Sequence, residues 1–371
     1  MRDVVEIGMG KTAQRGYHLD DIAIVPSRRT RDFDDVSTAW QLDAYQFKIP
    51  CVAHPSDAIM SPTSAAALGQ LGGLGTLNVE GLWCRYEDPT KLLESLAALD
   101  DDGRTATRRL QDVYAEPIKP ELIGKRVAEI REAGVPTAGA LSPQNTRAYA
   151  QAVVDSGVDF FVIRGTTVSA EHVSSELEPL NLKKFIYELD VPVIVGGCAT
   201  YQAALHLMRT GAAGVLVGFG GGAAYTSRSV LGVAVPMASA VSDVAAARRD
   251  YLDESGGRYV HVIADGSVVN SGDIAKAIAC GADAIMVGSP LARAEEAPGR
   301  GYHWGPEAWH DTLPRGERAE FSTVGSLEHI LLGPSTVPDG TMNLIGALRK
   351  AMATTGYTEI KEFQRVEIVV G

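Results

Sequence analysis

Between residues 49 and 289 one pattern recurs: a short apolar run, a glycine or polar turn, then a stretch with helical spacing. The runs are IPCVA (49–53), GLGTLNV (73–79), VPTAGAL (135–141), FFVIRG (160–165), VPVIVGG (191–197), GVLVGFG (214–220), YVHVIADG (259–266) and AIMVGS (284–289). Each is continuously apolar rather than alternating, as expected of a strand covered by helices on its outer face and by core on its inner face. Such strands, separated by helices, pair in parallel, and eight βα units are the number that closes a barrel. The chain therefore reads as α/β, a single-domain (β/α)8 TIM barrel over 1–371. An open doubly wound sheet is the competing arrangement, but it would normally carry GxGxxG after its first strand, and none is there.

Three segments stand outside the pattern. Residues 1–48 read as an N-terminal extension packed on the barrel. Residues 80–134 hold two helical patterns, 89–99 and 120–133, joined by the charged DDDGRTATRR, with no room for an inserted regulatory domain. Residues 291–341, rich in Gly, Pro, His and Trp, read as a long loop excursion, a lid or an interface, before the last helix at 342–355. In the tail, 356–371, EFQRVEIVV reads as a final strand.

Charge narrows the function. With 34 Lys+Arg against 46 Asp+Glu, the net charge of -12 argues against a broad nucleic-acid or anionic-membrane surface. A small anion held by local backbone dipoles remains open. No apolar run reaches the roughly eighteen residues of a membrane span, and the charged N-terminus does not read as a signal peptide, so a cytoplasmic location is expected. The four cysteines, Cys51, Cys84, Cys198 and Cys280, form no CxxC pair and indicate neither a disulfide framework nor a zinc ribbon.

The densest chemical signal is GVLVGFGGGAAYTSR (214–228), where Gly218, Gly220, Gly221 and Gly222 fill four of five positions. Such a loop lets backbone groups approach a phosphate or a cation without a Cβ in the way; its plain alternative is a strand-to-helix connection. Tyr225 stands at its end. In a (β/α)8 barrel the loops after strands seven and eight often hold phosphate. Here they read ADGS (264–267) and VGS (287–289), each with a glycine and a hydroxyl, and Asp265 would offer an acceptor to a ribose diol. Together the three loops favour a nucleoside monophosphate.

The stretch VIADGSVVNSGDIAKAIACGADAIMVGSPLARAEEAPG (262–299) resembles the phosphate-binding half of the IMP dehydrogenase and GMP reductase barrels. The resemblance runs from YHLDDIAIVPSRRT (17–30) through IPCVAHPSDAIMSPTSAAALGQLGGLGTLN (49–78) to VGSLEHILLGPS (324–335). It is nearest to bacterial IMP dehydrogenase-related proteins that lack the CBS pair, on GLWCRYEDP (81–89), NLKKFIYELDVPVIVGGCATYQAALHLMRTGA (181–212) and DVAAARRDYLDESGGRYVHVIADG (243–266).

That resemblance implies a purine nucleotide oxidoreductase of guanine nucleotide metabolism, binding IMP, XMP or GMP with NAD or NADP, as a homotetramer or octamer. Asp265, Gly266, Ser267, Gly288 and Ser289, with Gly220 and Gly222, are the implied substrate contacts. Ser267 replaces a second glycine. The carbonyls of Gly220, Gly222 and Tyr225 match a monovalent-cation site.

The departures fall on chemistry. The family's loop has the form GxGPGSxCTTR, with a cysteine that attacks purine C2; GFGGGAAYTSR (218–228) places Tyr225 there, and Ala223 replaces the phosphate-contacting serine. A phenol of pKa about 10 is a far weaker nucleophile at neutral pH than a thiol near about 8.5. The family's aspartate after the fourth strand, which meets the nicotinamide ribose, is Arg164 in VIRGTT (162–167), beside Gly165 and Thr166. Arg164 there would clamp an extra phosphate, or pair on the surface with Glu171 or Glu176. Cys198 replaces an asparagine and His54 begins the altered first loop, of which only Asp57 matches; the two are the candidates for a rebuilt nucleophile and acid–base group. The Arg-Tyr flap has no match between 335 and 342. Two expectations result: an oxidoreductase with an altered site, or a nucleotide-binding or scaffolding paralogue without catalysis, partnering a true IMP dehydrogenase.

Overall fold

The computed structural model describes residues 3–99, 104–173, 180–219 and 221–371. All eight apolar runs form strands: β1 (Cys51–Ala53), β2 (Gly75–Asn78), β3 (Thr137–Leu141), β4 (Phe160–Arg164), β5 (Val193–Cys198), β6 (Gly214–Val217), β7 (His261–Asp265) and β8 (Ala284–Val287). They pair in parallel in the order β1-β8-β7-β6-β5-β4-β3-β2. A parallel bridge between Val52 and Leu74 closes the ring, carried by Ala53 N–H to Leu74 O at 2.8 Å and Leu74 N–H to Cys51 O at 2.9 Å. The fold is the (β/α)8 barrel, and its inner and outer strand faces are both buried.

Helix starts follow local chemistry. Ser61 caps Pro62–Gln70 and Ser142 caps Pro143–Asp155, each with proline at the first turn, where a missing N–H costs nothing. Asn270 and Asp273 form a reciprocal cap on Ser271–Ala279, fixing the chain just beyond β7.

The flanking segments hold more structure than their composition suggests. Part of DDDGRTATRR belongs to a helix, Arg104–Tyr114, rather than to a plain link, because Ala106, Leu110, Val113 and Tyr114 form a buried stripe in an otherwise polar sequence. The 291–341 excursion is likewise not structureless. It contains a small antiparallel pair, Tyr302–His303 with Ala319–Glu320, and a helix, Leu327–Leu332. The tail strand Ile368–Val370 pairs antiparallel with Ile22–Ile24, tying the two ends of the chain together.

The base of the barrel is sealed by the hairpin Trp40–Leu42 and Tyr45–Phe47, whose Trp40, Leu42 and Phe47 are buried. Beside it Asp283, 2% exposed, accepts from Arg248 Nη1 at 2.9 Å, Tyr259 Oη at 2.8 Å, the Val262 amide at 2.8 Å and Gln364 Nε2 at 3.0 Å, and pairs with Lys361. Burial alone would raise this carboxyl, but Arg248 and Lys361 outweigh it and hold it at about 2.

Because the folded value lies below the ordinary one of 3.8, the network's contribution is fully present above about pH 4 and disappears as pH falls through 2. It amounts to about 2 kcal/mol. Asp283→Asn, which strands Arg248 and Lys361, should cost about 3 kcal/mol at pH 7 and remove this part of the acid limb. Urea titrations from pH 2 to 7 on both proteins test it; parallel curves would show that Asp283 does not drive acid stability.

Candidate active site

The C-terminal ends of the strands bring the predicted residues together. His54 is the first residue past β1, Arg164 ends β4, Cys198 ends β5, Asp265 ends β7, and Gly288 and Ser289 follow β8. Tyr225 reaches the same mouth on the glycine-rich loop after β6. Gly220 lies outside the described residues, so its substrate and cation roles have no structural account here. The Gly222 carbonyl accepts from the Tyr225 amide at 3.1 Å within the turn. Among the described residues, no group of three His, Cys, Asp or Glu is placed to hold a metal.

Tyr225 is fixed from two sides. Its backbone forms an antiparallel bridge with Gly316, flanked by Thr226 N–H to Arg315 O at 2.9 Å and Glu317 N–H to Ala224 O at 3.0 Å, so the excursion clamps the loop. Its hydroxyl meets His54 Nε2 at 2.6 Å. Burial pushes the phenol well above its usual range, with Glu307 and Asp265 adding to the rise and Arg164 opposing it. Burial, then Arg164 and His303, push the His54 imidazole well below its own. The pair is thus a protonated phenol beside a neutral imidazole, and the raised phenol and the lowered basicity of His54 make the imidazole a poor acceptor of that proton.

Arg164 does not reach toward Glu171, and Glu176 lies outside the described residues. Its Nε pairs instead with Asp265 Oδ2 at 2.8 Å, the side chains only 10% and 8% exposed. Its guanidinium carbon lies 5.6 Å from the centre of the Tyr225 ring. Burial works against the Arg164 charge, but Asp265, Tyr225 and Glu307 outweigh it and raise its basicity. Cys198 is buried, its thiol donates to the Leu216 carbonyl at 3.4 Å, and burial pushes it up to about 12. No thiolate is available there at neutral pH.

The phosphate-side turns differ in character. Gly266 and Ser267 both sit at positive φ, 96° and 56°. Ser267 thus occupies a conformation that favours glycine, at a cost of about 1 kcal/mol. Gly266, Ser267 and Gly288 are half-buried residues, and no hydrogen bond from their N–H groups is formed among the described residues. Donors left open in this way suit an anion.

The excursion supplies residues that sequence reasoning missed. Glu307, 6% exposed, accepts from Thr166 Oγ1 at 3.0 Å on Oε1, while its Oε2 has no partner among the described residues. His303 lies 5.6 Å ring to ring from His54 and meets Ser289 Oγ at 3.2 Å. The only hint was the density of His, Trp and Glu in YHWGPEAWH (302–310). Below them Asp57 accepts from Tyr114 Oη at 2.6 Å and Asn78 Nδ2 at 3.1 Å, and Tyr114 accepts from Trp304 Nε1 at 3.0 Å, so the first loop and the excursion share one buried network.

The consequence is a filled mouth. The cavity bounded by Arg164, Thr166, Gly221, Tyr225, Asp265 and Glu307 has a volume of about 20 Å³. Ligand sites usually need several hundred. A nicotinamide group does not fit beside Arg164, Gly165 and Thr166 in this arrangement. The larger clefts, about 690 and 700 Å³, open at the base of the barrel around Arg258 and Asp43, away from the strand ends that carry the site.

A profile of the IMP dehydrogenase / GMP reductase domain matches residues 16–305. The chain belongs to this family. Members similar to it include proteins described as uncharacterized oxidoreductases in Mycolicibacterium smegmatis, 55% identical over 99% of this chain and all of that protein, and in Mycobacterium tuberculosis, 56% identical with the same coverage. A crystal structure described as an IMP dehydrogenase/GMP reductase-like protein from Corynebacterium glutamicum superposes with a TM-score of 0.95 at 52% identity, covering 100% of this chain and 98% of the other. The inosine-5'-monophosphate dehydrogenase of Pasteurella multocida is more distant, 31% identical over 74% of this chain and 57% of its own length. Tyr225 and Arg164, which the resemblance placed at the family's cysteine and aspartate positions, are each tied to a partner across the mouth, His54 and Asp265.

Asp57 gives a pH test of the buried network. Burial, only partly offset by the hydrogen bonds from Tyr114, Leu82 and Asn78, raises its carboxyl to about 6. A raised value means that the Asp57 contribution is greatest below about pH 4 and falls as pH rises through 6, by about 3 kcal/mol in all. Asp57→Asn should abolish that decline, so that its thermal midpoint gains on wild type between pH 4.5 and 8. An unchanged difference across that range would show that Asp57 is ionised throughout.

Proposed function

We propose that this chain is a purine-nucleotide-binding member of the IMP dehydrogenase / GMP reductase family that does not use the family's covalent cysteine route. A nucleoside monophosphate (IMP, XMP or GMP) is held with its phosphate on the turns of Gly266, Ser267, Gly288 and Ser289 and its ribose diol on Asp265. The observation that carries this reading is the contrast within one mouth. Open backbone donors persist on the phosphate side, while the reacting position holds a protonated Tyr225 hydrogen-bonded to a neutral His54.

The closed mouth is too small for a purine or a nicotinamide group alike, so binding of either requires it to open. The reading includes no hydride step because the resemblance puts Tyr225 and Arg164 at the family's cysteine and aspartate positions. The protein acts as a nucleotide sensor or scaffold in guanine nucleotide metabolism, in the cytoplasm, as a homotetramer whose partner is a catalytic IMP dehydrogenase. No described helix is long and apolar enough to cross a membrane.

Titration calorimetry with IMP, XMP and GMP should detect binding of at least one of them, and Asp265→Ala should weaken it by more than about tenfold, the loss of one well-placed acceptor. Unchanged affinity in that variant would remove Asp265 from the site. With IMP and NAD, Tyr225→Cys should produce no NADH absorbance, because Arg164 still blocks the region beside β4. Turnover by this single variant would mean that the cysteine alone separates the chain from catalysis.

A further inference from the structure

The proposed nucleotide site contains a conflict. A ribose diol that uses both Asp265 oxygens displaces Arg164 Nε from Oδ2, and a buried guanidinium without a partner is strongly unfavourable. A second acceptor lies in the same cavity. Glu307 is buried, its Oε1 already taken by Thr166 Oγ1 at 3.0 Å and its Oε2 unpartnered among the described residues. Thr166 is two residues after Arg164, so the turn that carries the arginine is already attached to this carboxylate.

We propose that Arg164 is a positioning residue with two seats: it pairs with Asp265 in the closed mouth and transfers to Glu307 Oε2 when a ribose diol takes Asp265. The inference rests on the nucleotide-binding reading above. It makes the diol the trigger, so the site selects ribonucleotides over 2′-deoxyribonucleotides through the fate of a cation that need not touch the ligand. The movement also carries a signal. Glu307 belongs to the excursion whose Arg315, Gly316 and Glu317 clamp the Tyr225 loop. Drawing Arg164 toward it couples occupancy of the ribose site to the surface of that excursion.

The test is a double-mutant cycle read by calorimetry with IMP, on wild type, Glu307→Gln, Arg164→Met and the double variant, each checked for folding by thermal melt. Glu307→Gln should weaken IMP binding about tenfold or more in the wild-type background and less than about twofold in Arg164→Met, which itself binds at least as tightly as wild type. Wild type should also bind IMP more than about tenfold tighter than 2′-deoxy-IMP, a comparison that needs no variant.

An equal loss from Glu307→Gln in both backgrounds would overturn the transfer, as would a weaker Arg164→Met, which would make the arginine a ligand clamp. Equal affinity for IMP and its 2′-deoxy analogue would overturn it as well. Binding by Arg164→Met alone would leave the nucleotide site standing and overturn the second seat. Binding of no purine monophosphate by any of the four proteins would overturn the nucleotide reading itself.

Discussion

The ion pair between Arg164 and Asp265 spans the mouth from the end of β4 to the end of β7, and everything else at that end of the barrel is arranged around it. Withdrawing two charges from water is costly, and the cost is recovered only when each finds its counterpart. Two aspartates at these strand ends would both face the mouth as open acceptors, ready for hydroxyl groups. With arginine at 164, one acceptor becomes a cation and satisfies the other. A single exchange of residue type thus turns a receptive site into a self-satisfied one without disturbing the strands that carry it.

Tyr225 continues the same logic. Its hydroxyl rests on His54, and burial together with Glu307 and Asp265 outweighs the nearby Arg164 cation, so the phenol stays in the protonated form that a nucleophile must leave. The burial that depresses the His54 basicity keeps the hydroxyl's own partner neutral. At the other end of the barrel, Asp283 shows the opposite use of buried charge: it is surrounded by Arg248, Tyr259, Lys361, Gln364 and a backbone amide, all donating. Asp283 is saturated, although His261 Nδ1 beside it has no hydrogen-bond partner among the described residues. The mouth keeps unsatisfied atoms on Glu307, His54 and His303. Three such atoms around one mouth leave donors and acceptors that an incoming ligand can satisfy.

How much of this was legible in the sequence depended on range. The eight strands could be read because a continuously apolar run is a local property, and the turns ADGS and VGS lie where such barrels place phosphate. The helix Arg104–Tyr114 escaped notice because arginines dominate its composition while four buried positions carry its packing. The partner of Arg164 could not be read, since Glu171 and Glu176 are near in sequence whereas Asp265 is 101 residues away and adjacent only once the barrel closes. The Tyr225–His54 contact spans 171 residues. Glu307 was invisible for a further reason: it lies in a segment whose irregular composition signalled a loop but not which of its residues would turn inward.

That last point bears on what the excursion is for. A lid that merely covered a site would need apolar contacts with the rim. This one contributes a buried carboxylate, a histidine facing Ser289 and a backbone bridge to Tyr225, so it forms part of the wall of the mouth. The first loop is joined to it through Asp57, Tyr114 and Trp304. A change in which acid Arg164 pairs with therefore cannot remain local. In the proposed transfer it would act on a carboxylate whose backbone belongs to the excursion, which is bridged to the Tyr225 loop at Gly316. Under the proposed reading, a barrel whose reacting position holds a protonated tyrosine forgoes covalent chemistry and would instead convert the presence of a ribonucleotide into a change of shape.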